Sequence, residues 1–143
     1  MIKAEVYFDD FQVSDQLPPL AKPPIDQIQL IKYAGASGDF NPLHYLPEIG
    51  QMAGTGGVIA HGMLIMGFAG QAVAGWIPNQ YLTRLSVRFV DMTKLGDKIT
   101  VTGTITGKRE EQDSGVITGE VIAADQNSGV KLKGTFEASL PKR

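Results

Sequence analysis

Two hydrophobic patterns meet near Trp76-Ile77-Pro78-Asn79. Beyond that point β-branched and polar residues alternate in four runs: Leu82 to Val90, Asp97 to Lys108, Gly115 to Ala123 and Val130 to Leu140. A period of two marks strands with one buried face. Gly96-Asp97, Asp113-Ser114-Gly115 and Asn127-Ser128-Gly129 supply turns, so the pattern predicts four strands in antiparallel succession, a meander. Before that point the strongest signal is Val58 to Val73, apolar nearly all round through Ile59, Met63, Leu64, Ile65, Met66, Phe68, Ala69 and Val73. A helix without a polar face must be enclosed by protein, so this stretch predicts a central helix. Gly62, Gly67 and Gly70 lower its propensity by about 1 kcal/mol each, which suits places where backbone or ligand comes close.

The first third is less periodic. A short strand is expected over Phe11 to Leu17, and Pro18-Pro19 and Pro23-Pro24 force an extended connection after it. A helix follows, with Pro24 near its start, Asp26 as its cap, apolar spacing through Ile28 and Ile31, and an end near Gly35. Ser37 to Gly57 predicts mostly loop with one or two helical turns, because Gly38, Asn41-Pro42 and the glycines up to Gly57 interrupt any period. Loops this long inside a compact domain tend to carry function. The pattern as a whole predicts one α+β domain over residues 1–143, with the sheet curled around the buried helix.

Composition narrows the partners. A formal charge of −2, with no basic run longer than Lys108-Arg109, argues against nucleic acid and anionic lipid. A small molecule or another protein fits better. The absence of cysteine removes disulfides, thiolate metal sites and a cysteine nucleophile, and suits the reducing cytoplasm. Met1 to Asp10 alternates charged and apolar residues, so no secretory leader is expected. The Val58 to Ala69 run is too short for a bilayer, which takes about 20 residues, so no membrane span is expected either.

Candidate chemistry gathers where the loop meets the helix. Asp39, Asn41 and His44 lie within six residues, and if Asn41 caps a turn begun by Pro42, Asp39 and His44 can face one cavity. A carboxylate beside an imidazole can hold a water and move protons near neutral pH. The commoner role of such Asx residues is to satisfy turn amides, and local physics alone leaves that role ahead. His61-Gly62 opens the helix, where backbone N–H groups without intrahelical acceptors can receive a developing negative charge. His61 itself is more often a hydrogen-bonded core histidine than a catalyst. Met63 and Met66 are most simply core. No histidine pair stands at helical spacing, so a metal is not expected, and Gly54-Thr55-Gly56-Gly57 matches no nucleotide-binding fingerprint, so no cofactor is expected.

The run Tyr33-Ala34-Gly35-Ala36-Ser37-Gly38-Asp39-Phe40-Asn41-Pro42-Leu43-His44 closely resembles the hydratase signature of MaoC-like dehydratases and (R)-specific enoyl-CoA hydratases. Ile59-Ala60-His61-Gly62-Met63 resembles that family's helix start, and Arg88-Phe89 and Gly96-Asp97 fall where the family has a strand and a turn. The resemblance implies a hot-dog fold, an antiparallel sheet wrapped around one long helix, paired as a dimer. It implies that Asp39 and His44 are the catalytic pair, that Gly62 N–H receives the thioester oxygen, and that Asn41 supports the loop. On the substrate side it implies Tyr33, His61, Met63 and Met66, with Met63 to Met66 lining an acyl tunnel. Met92 and Leu95 stand where the family commonly has prolines, and Tyr45-Leu46-Pro47 replaces an acidic segment. Glu48-Ile49 and Met63-Leu64-Ile65-Met66-Gly67 resemble catalytic subunits of 3-hydroxyacyl-carrier-protein dehydratases, so the implied substrate is an acyl-CoA or acyl-carrier-protein thioester, and the implied assembly a homo-oligomer or a heterodimer. Two alternatives remain. A hot-dog thioesterase needs an acid and an amide on the long helix, where this chain offers only Gln71; a non-catalytic acyl-binding subunit would lack the Asp39–His44 pair.

Overall fold

The computed structural model describes residues 5–143, so the first four residues of the alternating N-terminal stretch, and the leader expectation resting partly on them, lie outside it. Five antiparallel strands form one sheet: β1 (Gln16–Ala21), β2 (Leu82–Phe89), β3 (Thr100–Glu110), β4 (Ser114–Ala124) and β5 (Val130–Pro141). Their order in space is β1-β3-β4-β5-β2. All four expected C-terminal strands form, but only β3, β4 and β5 make a meander. β2 pairs with β5, with Leu85 opposite Phe136 and Phe89 opposite Leu132. The expected succession fails at the first hairpin because residues 90–99 do not turn back; they run from one edge of the sheet towards the other. Gly96, at φ 85°, turns this strap locally, and Asp97 Oδ2 accepts from Lys94 N at 2.8 Å.

β1 corrects a second expectation. The strand contains Pro18-Pro19 rather than ending before them. It is an edge strand, and its pairing with β3 shifts between Leu17 and Leu20, where the missing proline N–H groups cost no ladder bond. The first helix, α1 (Gln27–Ser37), begins as expected, with Asp26 Oδ1 accepting from Gln29 N at 2.7 Å. It ends two residues beyond Gly35, because Gly38 takes the left-handed cap at φ 76° and its N–H closes on Ala34 O. The loop then holds the two short turns foreseen, a 3₁₀ turn at Pro42–His44 and α2 (Pro47–Met52).

The central helix, α3 (Gly62–Trp76), starts four residues later and runs three residues further than the apolar run suggested. Val58 to His61 is instead extended: Ile59 bridges to Lys94, and Ala60 N donates to Thr93 O at 2.8 Å. Leu64, Ile65, Phe68, Ala69, Ala72 and Val73 are buried against the sheet, in one core with Ile99, Val101, Ile117, Val121, Leu132 and Phe136. Trp76 closes the far end over β3, where a Cβ on Gly103 would come within 2.5 Å of the indole, and its Nε1 donates to Pro18 O. The helix is not enclosed on every side in this chain. Met63, Gly67, Gln71 and Gly75 are exposed, Met63 at 56%, which corrects its assignment to the core. Glycines along that side leave a thin apolar face that hydropathy counts as if it were buried.

Candidate active site

Each residue of the loop motif is placed by a local backbone bond. Asn41 caps the 3₁₀ turn through Oδ1, which accepts from Leu43 N at 3.1 Å, and Pro42 starts the turn. Asp39 Oδ1 accepts from Asn41 N at 3.2 Å, and Ser37 Oγ accepts from Asp39 N. The turn-satisfying role foreseen for these residues is therefore real, but it occupies one oxygen of Asp39. The other, Oδ2, lies 3.6 Å from His44 Nε2. That side chain is half exposed and the histidine nearly buried, so the pair sits at an edge between water and core.

His44 Nδ1 lies 2.9 Å from Ile59 O. A carbonyl can only accept, so Nδ1 carries the proton and Nε2 of the neutral ring presents a lone pair. Ile59 is in turn held by its N–H on Leu43 O and by the bridge to Lys94, so loop and strap together fix the imidazole. Behind it lies His61, 1% exposed, stacked on His44 with centroids 3.8 Å apart and planes 24° apart. His61 Nε2 is 3.1 Å from Asp39 O and, by the same reasoning, donates to it. Tyr33 from α1 meets the other side of His61 edge-on at 4.8 Å. Burial pulls the His61 imidazole below the ordinary histidine range, and the Asp39 carbonyl only partly offsets this.

A cavity of about 470 Å³ opens beside this pair, lined by His44, Gly62, Ile65, Phe89, Thr93 and Lys131 among others. Gly62 is the first residue of α3, so its N–H has no intrahelical acceptor. The Phe89 ring lies 3.3 Å from where a Gly62 Cβ would stand, so a side chain there would press on the ring that lines the cavity. His44 and Gly62 are thus brought to one space; Asp39 does not line it and is tied to it through His44, whose Nε2 lies 3.6 Å from Asp39 Oδ2. Tyr33, Asn41, His61, Met63 and Met66 do not line it. Tyr33 and His61 support the pair from behind, Met66 packs against the core, and Met63 faces outward. His61 has no free surface with which to meet a substrate.

Phe89, Thr93 and Lys131 line the cavity without any distinguishing local sequence signal for that role. Phe89 ends an unremarkable strand; Thr93 and Lys131 are buried. Lys131 Nζ lies 3.2 Å from Asp125, 3.6 Å from Asp91 and 3.8 Å from Asp97. Burial opposes its charge, but the three carboxylates outweigh burial and raise its pKa. The available signal was a lysine beside Leu132 in an otherwise apolar strand start, which alone does not distinguish a snorkelling surface residue from a buried one.

Asp39, His44 and His61 bring ligand atoms within 4.8 Å of one another, a spacing that raises the question of a metal. His44 Nδ1 and His61 Nε2 are committed to carbonyls, and stacked rings direct their remaining lone pairs into near-parallel planes. Tetrahedral ligation needs those directions to converge. The cluster fits proton transfer better than ligation.

Comparison with known proteins places the chain in a family. Residues 10–127 match the family described as MaoC like domain. The (R)-specific enoyl-CoA hydratase of Rhodospirillum rubrum is 34% identical over 104 residues, covering 71% of this chain and 70% of that protein. A fatty acid synthase subunit beta of Gibberella zeae is 36% identical over 117 residues, 79% of this chain; the match spans only 6% of that much longer protein. The solved (R)-hydratase from A. caviae superposes with a TM-score of 0.79 over 92% of this chain and 98% of that one, at 23% identity, and shares the hot-dog fold. With a family match across most of its length, and with the loop and helix start that the resemblance singled out folded onto one cavity, this chain belongs to the MaoC-like dehydratase family.

Proposed function

We propose that the chain catalyses the reversible hydration of trans-2-enoyl thioesters to (R)-3-hydroxyacyl thioesters, carried on CoA or acyl-carrier protein. The observation that carries this is the convergence of two acceptors, Asp39 Oδ2 and His44 Nε2, at 3.6 Å beside the cavity that Gly62 enters. Two acceptors do not bond each other; they bond a water that donates to both, leaving its oxygen free to attack. That oxygen forms a bond to C3 of the enoyl group as one of its O–H bonds breaks and the proton passes to the Asp39–His44 pair, while the π electrons move onto the thioester oxygen, to which Gly62 N–H donates. The electrons return as C2 takes a proton from the same pair, which restores its starting protonation, and dehydration retraces the path. Acid–base catalysis of this kind supplies about 10² to 10⁴ in rate, and one oxyanion donor about 10² to 10³.

Asn41 holds the loop and Phe89, Ile65 and Gly62 shape the acyl end, with Tyr33 and Met66 in supporting positions. The proposed assembly is a homodimer or a heterodimer with a related subunit, in which a second chain covers the outward face of α3 at Met63 and Gly67. Among the described residues no helix is long and apolar enough to cross a membrane, and the cytoplasm is the compartment we propose. A thioesterase is disfavoured by Gln71, which is exposed and accepts from Lys22 Nζ at 3.0 Å, away from the site. The test is hydration of crotonyl-CoA with chiral analysis of the product, beside a thiol-release assay. Formation of (R)-3-hydroxybutyryl-CoA is expected; release of free thiol, or inertness towards several enoyl thioesters on both carriers, overturns the reading.

A further inference from the structure

His61 is a buried titratable group, 1% exposed, that the mechanism above does not use. Among the described residues its Nδ1 and Thr93 Oγ1 are the buried side-chain polar atoms with no hydrogen-bond partner. Leaving such an atom unpaired is unfavourable, yet an apolar ring would have filled the same space without that penalty. What an apolar ring lacks is the Nε2–H that reaches Asp39 O at 3.1 Å. The same ring lies flat on His44 at 3.8 Å. One side chain therefore holds the backbone of the carboxylate and backs the plane of the base.

We propose that His61 is a positioning residue for the Asp39–His44 pair, a buried, neutral imidazole that tethers Asp39 through its backbone and sets the plane of His44. This rests on the hydratase reading of the site. Neutrality follows from the surroundings. The titratable groups against the ring are Tyr33 from α1 and Asp39 and His44 from the loop, and α3 carries none. A proton on Nδ1 would be a buried donor without an acceptor, and would set a cation against the face of His44. The unpaired atom is thus the cost of keeping Nε2 a donor with no charge beside the base.

Two variants separate the two duties. His61→Phe keeps a flat ring behind His44 and removes the donor to Asp39 O; His61→Gln keeps a donor and removes the ring. For crotonyl-CoA hydration each is expected to lower kcat about 10- to 100-fold, the scale of a misplacement of order 1 Å, with KM within about threefold of wild type. Wild-type kcat with either variant folded, or a raised KM at unchanged kcat, overturns the proposal, the latter because it would mean direct contact with substrate. Nitrogen-15 spectra of the wild-type imidazoles provide a readout independent of turnover and of variant folding. They are expected to show His61 as the Nε2–H tautomer, neutral at pH values where an ordinary histidine titrates; a His61 that takes up a proton near pH 6.5, or holds the Nδ1–H tautomer, overturns the proposal. If wild type hydrates no enoyl thioester, the hydratase reading fails by itself, and the spectra still decide whether His61 is held as described.

Discussion

On one side of the cavity Lys131 meets Asp91, Asp97 and Asp125; on the other, His44 meets Asp39 and His61. Each carboxylate around Lys131 also accepts from backbone: Asp91 from Met92, Asp97 from Lys94, and Asp125 from both Asn127 and Gly129. The second cluster is left open. Asp39 Oδ2 and His44 Nε2 face each other as acceptors, and His61 Nδ1 has no partner. A satisfied buried network rigidifies the fold, whereas an unsatisfied one is costly and persists where it has work to do. Bond satisfaction thus separates the scaffold cluster from the chemical one, although both contain a buried base beside a carboxylate and both reach the same cavity.

The open cluster should be indispensable to turnover and nearly neutral for stability. Asp39→Asn and His44→Gln are each expected to lower kcat/KM for enoyl-thioester hydration by about 10² to 10⁴ while leaving the melting temperature nearly unchanged. Steady-state kinetics beside thermal unfolding checks both halves. Gly62 offers a subtler cut. His61 sits at φ −59°, ψ 130°, a conformation compatible with a following proline, and the first turn of a helix tolerates proline. Gly62→Pro therefore removes one N–H and leaves α3 able to form, with an expected loss of about 10² to 10³ in kcat. Gly62→Ala keeps the N–H and brings a Cβ against Phe89, so it measures the steric share of that loss. Equal rates for the two variants would show that the amide is not the oxyanion donor.

The satisfied cluster should respond in the opposite sense. Lys131→Met leaves Asp97 and Asp125, with the largely exposed Asp91, facing one another around an apolar chain, and is expected to lower the melting temperature by roughly 5 °C. Folded Lys131→Met at low temperature is expected to keep kcat within severalfold of wild type, since Lys131 acts on the strap and touches no reacting atom. A variant with full stability and lost activity would transfer Lys131 to the chemical side.

These two clusters were unequally legible. Asp39, Asn41 and His44 are close in sequence, and their spacing implies a turn, so their candidacy could be read locally. The strands could be read for a similar reason, because a period of two needs only a few residues to declare itself. The pairing of β2 with β5 could not, since it depends on the strap of residues 90–99 crossing the sheet, and no local period records a crossing. Asp91, Asp97 and Asp125 belong to separate turns, where aspartate is expected for its backbone bonds, and only the fold brings them to Lys131. His61 lies between these cases. Its place at the helix start was visible, but stacking on a ring seventeen residues away was not. Met63 reads as core because the face it shares with Gly67 is apolar in composition, yet that face is open in the chain.

Acid titration gives the smallest effect and separates the two clusters on one axis. His61 is lowered from the ordinary value of 6.5, chiefly by burial. Above that value the ring is neutral in both folded and unfolded chains and contributes nothing to the pH dependence. As pH falls below it, the unfolded chain takes up a proton that the native ring resists, so stability declines with a slope approaching about 1.4 kcal/mol per pH unit until the native ring is itself protonated. Asp125 behaves differently. The N–H groups of Gly129 and Asn127, with Lys131, hold it below its ordinary 3.8, so its contribution is complete above that value and is lost only as pH falls through the lowered one. Urea unfolding from pH 7 to 5 is therefore expected to show a decline that His61→Phe flattens and Lys131→Met leaves in place, while a second decline below about pH 4 is the one that Lys131→Met alters. If His61→Phe leaves the first decline unchanged, the proton it reports is bound elsewhere and the open cluster is less strained than its geometry implies.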